Sequence, residues 1–124
     1  DTHGHQRGDE VLRQVGAGLE QLVRREDVAA RYGGEEFVVL LPGVDGAGGS
    51  AFAERVRLRL RDGVEDVPVT VSVGVACYPD NAVELEGLVG CADAALYEAK
   101  RTGRDRVVTS GVQARPSVVV ADAG

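Results

Sequence analysis

Val28-Ala29-Ala30-Arg31-Tyr32-Gly33-Gly34-Glu35-Glu36-Phe37-Val38-Val39-Leu40-Leu41 is the stretch on which the reading of the fold turns. Two short apolar runs, 28–32 and 37–41, flank a glycine pair, and a tight glycine turn between such runs reads as a β-hairpin. Pro42 and Gly43 stop the second strand. The tip is an odd choice for a mere turn. Glycines let a backbone approach a phosphate with no Cβ in the way. Adjacent carboxylates offer hard oxygen donors to Mg²⁺, which takes one or two of them beside substrate phosphates. Alone, Gly33-Gly34-Glu35-Glu36 describes a solvated turn just as readily.

Upstream of the hairpin, Val11, Leu12, Val15, Leu19, Leu22 and Val23 recur at helical spacing, predicting a helix from about Gly8 to Arg25. Asp9 and Glu10 at its start suit the positive end of a helix dipole. Gly16 and Gly18 lower its propensity, so packing must decide the matter. Downstream, glycine-rich residues 43–49 lead into a helix whose Phe52, Val56 and Leu60 mark one face. Val69, Val71, Val73 and Val75 then alternate with Thr70, Ser72, Gly74 and Ala76, a period-2 strand with one apolar face. A last helix is expected over about Val83 to Thr102. Leu85, Leu88, Val89, Ala92, Ala95, Leu96 and Ala99 line its inner side, with Gly103 as its cap. Arg106 to Thr109 can add a short strand. The apolar Val118-Val119-Val120 has no evident amphipathic partner, so residues 110–124 are expected to be a disordered tail after a domain over 1–109. The order of elements predicts an α+β fold, a largely antiparallel sheet with helices on one side. The first helix has no strand before it to pack against.

At 124 residues the chain has room for one domain. Apolar residues make up 44% and aromatics only 4%, so the core must be built from Val, Leu and Ala. A net charge of −6 argues against a nucleic-acid polymer as partner, since counterion release needs a basic face. No apolar run approaches the roughly 20 residues that span a bilayer, and no signal-peptide pattern opens the chain. Cys77 and Cys91 read as thiols in a reducing compartment, and a cytoplasmic location is the expectation.

Other blocks bear on the hairpin. They are Asp1-Thr2-His3-Gly4-His5-Gln6-Arg7-Gly8-Asp9, Arg31 to Phe37, Leu40-Leu41-Pro42, Thr70 to Ala76, and Ala92-Asp93-Ala94-Ala95-Leu96-Tyr97-Glu98-Ala99-Lys100-Arg101-Thr102-Gly103-Arg104. In order and spacing, from Asp1 to about Val108, they resemble the GGDEF domain, the diguanylate cyclase family. The resemblance implies a ferredoxin-like sheet related to nucleotide-cyclase palms, with the signature turn on a hairpin. It implies condensation of two GTP into cyclic di-GMP and pyrophosphate by a homodimer, with Mg²⁺ or Mn²⁺ as cofactor. Position by position, Gly33 and Gly34 would lie against the GTP phosphates. Glu35 would be catalytic and bind metal, Glu36 would also serve the metal, and Asp9 would hydrogen-bond the guanine edge. Lys100 and Arg104 would hold the terminal phosphates, although both also suit a helix C-terminus by charge alone. Arg24 and Asp27 form an R-x-x-D pair that matches the family's inhibitory product site, though a solvated helix end is the simpler reading without that context. Arg55 could assist them. His3 and His5 form an H-x-H pair with no third metal ligand at sensible spacing, and Gly4-His5 matches a structural turn of the family.

The family carries, ahead of the position matching Asp1, a strand with a metal-binding Asp, then a Phe-Lys pair and an Asn. This sequence begins after them. The expectation is a sheet lacking its first strand, neighbouring strands with unpaired backbone groups, and a chain inactive on its own. Two other readings are a cyclic di-GMP-binding module working through Arg24 and Asp27, and a nonfunctional fragment.

Overall fold

The computed structural model describes residues 2–64, 67–78, 83–110 and 117–122. Its elements are α1 (Thr2–Leu22), β1 (Val28–Gly33), β2 (Glu36–Leu41), α2 (Gly46–Asp62), β3 (Ser72–Cys77), α3 (Leu85–Arg101), β4 (Val107–Thr109) and β5 (Ser117–Asp122). The strands form one five-stranded sheet in the order β1-β2-β5-β3-β4. Every neighbouring pair is antiparallel except β3 with β4. The expected α+β, ferredoxin-like class is the one observed.

The largest departure from expectation is at the C-terminal end. Within the expected disordered tail, residues 117–122 form a central strand. β5 pairs along its whole length with β2 on one side, Glu36↔Asp122 to Leu41↔Ser117. It pairs with β3 on the other, Ser72↔Asp122 to Cys77↔Ser117. The sheet therefore has no open middle. The apolar run 118–120 finds its partner in backbone pairing with two strands, which helical amphipathicity could not reveal. Residues 111–116 and 123–124 of that expected tail lie outside the described residues, as does Asp1.

A second correction concerns the layers. Helices cover both faces of the sheet. On one face, Phe37, Val39 and Leu41 of β2 and Val73 and Val75 of β3 pack with Val15 and Leu19 of α1 and Phe52, Val56 and Leu60 of α2. On the other, Val38 and Ala76 pack with Leu88, Ala92 and Leu96 of α3. Every residue of β3 is buried. The alternate residues Ser72, Gly74 and Ala76 are small rather than solvent-seeking, and their smallness admits a helix.

Other boundaries shift in smaller ways. α1 begins at Thr2 instead of near Gly8 and takes in Gly4-His5, the step that the resemblance matches to a structural turn. Its first turn holds no acidic residue, so Asp9 and Glu10 lie too far along to meet the helix dipole. α2 starts one residue after Asp45, whose side chain accepts a hydrogen bond from the Gly48 amide at 2.8 Å. Leu85, expected on the inner side of α3, is 56% exposed at the first position of that helix.

Gly74 shows how closely α3 approaches. A Cβ built there would overlap the Ala92 carbonyl oxygen and the Leu96 amide, and stand 3.0 Å from the Ala95 carbonyl carbon. These are backbone atoms of a packed helix and cannot swing aside. Gly74→Ala is expected to destabilise the fold by about 1–3 kcal/mol. Gly90→Ala, in the same helix with nothing within 4 Å of the new Cβ, should be neutral or stabilising by up to about 1 kcal/mol. Urea unfolding of both variants checks this, and equal midpoints would contradict the seating of α3 on β3.

Candidate functional site

The hairpin turn is built from its own sequence. The β1–β2 register breaks between Arg31 and Gly33, a bulge that sharpens the bend. Gly34 has φ +54°, a left-handed conformation natural to glycine. The Arg31 Nε–H donates to the Gly34 carbonyl at 2.9 Å and ties the turn to its strand. Glu35 is exposed and Glu36 is half-buried at the first position of β2.

The register determines what else meets the turn. Glu36, Asp122 and Ser72 lie at one level across β2, β5 and β3. β4 begins beside that level, since Val73 pairs with Val107 and the Val73 amide donates to the Arg106 carbonyl at 2.9 Å. The loop from α3 to β4, which holds Arg104, is thus at the same end of the sheet as the hairpin turn. Three strand spacings, about 14 Å, separate β2 from β4. Lys100 is half-buried in the last turn of α3, and Arg104 is exposed at φ 63°. α1 comes to this end from above. A cavity of about 320 Å³ is lined by Gly16, Leu19 and Val23 together with Ala29, Arg31 and Phe37. The short link from Leu22 to Val28 makes α1 run back antiparallel to β1, so its N-terminal half, with exposed Asp9, extends toward the turn. Asp122 was not singled out from the sequence. A carboxylate closing the apolar run 118–120 was the available signal, legible only once that run is read as a strand.

Arg24 and Asp27 occupy the opposite end of the sheet, beyond Leu41, about 17 Å from Glu36 along β2. The Arg24 Nη2 donates to Asp27 Oδ1 at 2.6 Å and to the Pro42 carbonyl at 2.9 Å. The Arg24 backbone amide donates to Asp27 Oδ2 at 2.7 Å. The Asp27 side chain is 1% exposed, whereas Arg24 remains 43% exposed. Desolvation alone would raise the Asp27 carboxyl, but the hydrogen bonds and charge of Arg24 outweigh it and hold it below the ordinary carboxylate value. The buried carboxylate aims an exposed guanidinium. Beside them a cavity of about 240 Å³ is lined by Leu22, Leu41 and Phe52, and also by Arg55. The structure therefore brings Arg24, Asp27 and Arg55 together around one cavity, and it sets the hairpin turn and the α3–β4 loop at the other end of the sheet, three strand spacings apart.

Among the described residues no group of three or more His, Cys, Asp or Glu is placed to hold a metal ion. Among them, too, no helix is long and apolar enough to cross a membrane.

The family model described as "Diguanylate cyclase, GGDEF domain" matches residues 1–106, a span that ends before β5. Diguanylate cyclase A of Treponema denticola is 41% identical over 116 residues, covering 89% of this chain and 31% of that protein. The crystal structure of the GGDEF domain of DgcB from Caulobacter crescentus, in complex with c-di-GMP, superposes with a TM-score of 0.75 at 34% identity. It covers 89% of this chain and 68% of that one. Diguanylate cyclase SiaD of Pseudomonas aeruginosa, solved with its activator SiaC, gives 0.76 at 41% identity, over 88% of this chain and 44% of that one. The chain spans about a third or less of the length of the curated relatives it matches.

A depressed carboxyl stabilises the fold above its unfolded pKa, and that contribution is lost as pH falls through the folded value. The stability difference between the wild-type chain and Asp27→Asn should be constant above about pH 5 and shrink below about pH 4. Denaturant unfolding as a function of pH measures it. A difference that did not change down to about pH 2 would contradict the Arg24–Asp27 pairing.

Proposed function

This chain belongs to the GGDEF family of diguanylate cyclases, and from that premise we propose that it is a catalytic domain condensing two GTP into cyclic di-GMP and pyrophosphate. The observation that carries the reading is the placing of the Glu35–Glu36 turn and the Lys100–Arg104 segment at one end of the same sheet. Gly33 and Gly34 leave the turn open to the phosphates, Asp9 accepts from the guanine N–H groups, and Lys100 and Arg104 hold the terminal phosphates. Two copies face one another, each with one GTP. The 3′-hydroxyl of one nucleotide attacks the α-phosphorus of the other and expels pyrophosphate, and the step is repeated with the roles exchanged.

The residues at the turn suit Mg²⁺ or Mn²⁺. Glu35 and Glu36 are hard oxygen donors, and Mg²⁺ typically takes only one or two carboxylates, filling its shell with phosphate oxygens and water. In the backbone register Asp122 lies level with Glu36. When bound, the ion lowers the pKa of the attacking hydroxyl and neutralises developing charge. Glu35 is the residue to which the catalytic role is assigned.

A second reading has its own observation. The cavity lined by Arg24, Asp27 and Arg55 is a cyclic di-GMP site, either restraining the cyclase or serving a binding module with no turnover. A guanidinium pairs with phosphate through its planar fork and stacks on a base. Asp27 holds Arg24 in place beforehand, which reduces the ordering that binding requires.

Calorimetric titration with cyclic di-GMP is expected to show binding that Arg24→Ala weakens more than about tenfold and that Glu35→Gln leaves unchanged. GTP turnover with Mg²⁺, in whatever length of the protein supports it, should fall on the order of 100-fold or more in Glu35→Gln. Retained turnover in Glu35→Gln would refute the catalytic assignment, and unchanged affinity in Arg24→Ala would refute the product site.

A further inference from the structure

Arg57 lies on α2, two residues from Arg55, and so faces a different way. Its side chain is only 14% exposed, and it reaches out of its own helix to the loop between α3 and β4. There its Nη1 donates to Asp105 Oδ1 at 3.0 Å and to the Asp105 carbonyl at 3.5 Å. Glu54, one turn back on α2, pairs with the same guanidinium. Arg61 adds a weaker contact, 3.9 Å from Asp105 Oδ2.

The conformation of that loop makes the contact informative. Among the described residues, Arg104 and Asp105 are the non-glycine positions with positive φ, 63° and 45°. Such a backbone is disfavoured for side-chain-bearing residues and persists only where the surroundings impose it. Both ends of the loop are tied. The Arg104 amide donates to the Ala99 carbonyl at 2.9 Å, and the Arg106 carbonyl accepts from Val73 on β3. The middle, at Asp105, is clamped from α2 by Arg57. A partly exposed ion pair contributes little to stability by itself. This one reaches both the side chain and the carbonyl of the residue next to Arg104.

We propose that Arg57 and Asp105 are positioning residues. Their pair fixes the left-handed turn at residues 104–105 and so presents Arg104 toward the phosphates of a nucleoside triphosphate bound at the hairpin end of the sheet. The inference rests on the assignment of Arg104 to the terminal phosphates made above. Charge alone does not define the role, since Arg104 and Arg106 both lie in the loop and Arg101 ends α3 just before it. The role lies in the transmission of geometry from α2 to Arg104.

The test is a double-mutant cycle on the whole chain, read by calorimetric titration with GTP and Mg²⁺, with cyclic di-GMP titrated in parallel. Arg57→Ala is expected to weaken GTP on the order of tenfold and leave cyclic di-GMP affinity unchanged. In an Arg104→Ala background, Arg57→Ala should weaken GTP no further. Asp105→Ala should reproduce the loss and guards against an Arg57 variant that fails to fold. Asp105→Asn, which tolerates the left-handed backbone and keeps an acceptor, should lose less. Equal losses for GTP and cyclic di-GMP, or losses that multiply in the double variant, would reduce Arg57 to a support of the fold and overturn the proposal. Wild-type affinity for GTP in both Arg57→Ala and Asp105→Ala, with Arg104→Ala impaired, would overturn the positioning role alone. No GTP binding by the wild-type chain, or none lost in Arg104→Ala, would overturn the role of Arg104 and the proposal with it.

Discussion

β2 and β3 do not pair with each other, and the structure depends on what lies between them. Each presents its backbone donors and acceptors to a slot one strand wide, and β5 fills it over six positions on each side. An unsatisfied backbone group in such a place costs about 1–3 kcal/mol, so a gap of that length could not be tolerated in a folded sheet. Filling it from the C-terminal end lets helices cover both faces, α1 and α2 on one and α3 on the other.

The same pairing sets the candidate residues at two ends of the sheet. At one end the register sets Glu36 level with Asp122 and Ser72, and the α3–β4 loop starts beside them. At the other, Asp27 is buried and draws Arg24 over a cavity shared with Arg55. Strands join the two, so under the proposed function a ligand at the Arg24 end acts on the far end through the placing of whole elements and not through contact with the turn. α2 is common to both ends, carrying Arg55 toward one and Arg57 toward the other.

Much of this was legible in the sequence because it is written locally. The hairpin over 28–41 was readable from two apolar runs and a glycine turn, and the four-residue spacing of Phe52, Val56 and Leu60 gave the buried side of α2. The pairing of Arg24 with Asp27 follows from a three-residue separation at a helix end. The role of Val118-Val119-Val120 was not legible, since strand pairing between residues 40 to 86 apart in sequence leaves no periodic trace. The second helical layer was hidden for a related reason. Ser72, Gly74 and Ala76 look like the solvent side of an alternating strand, and only the approach of α3 shows that smallness was the requirement. Arg57 was one arginine of four on a helix, with nothing in its spacing to connect it with Asp105.

Amide hydrogen exchange on the intact chain, followed by mass spectrometry, tests the filling of the sheet most directly. If β5 is the central strand, amides within 118–121 will be protected to a degree comparable with those of Val73 to Ala76 and of Val38 to Leu40. Exchange of 118–121 at the rate of an unstructured peptide, with β2 and β3 still protected, would mean that the slot is closed in some other way and would contradict the account.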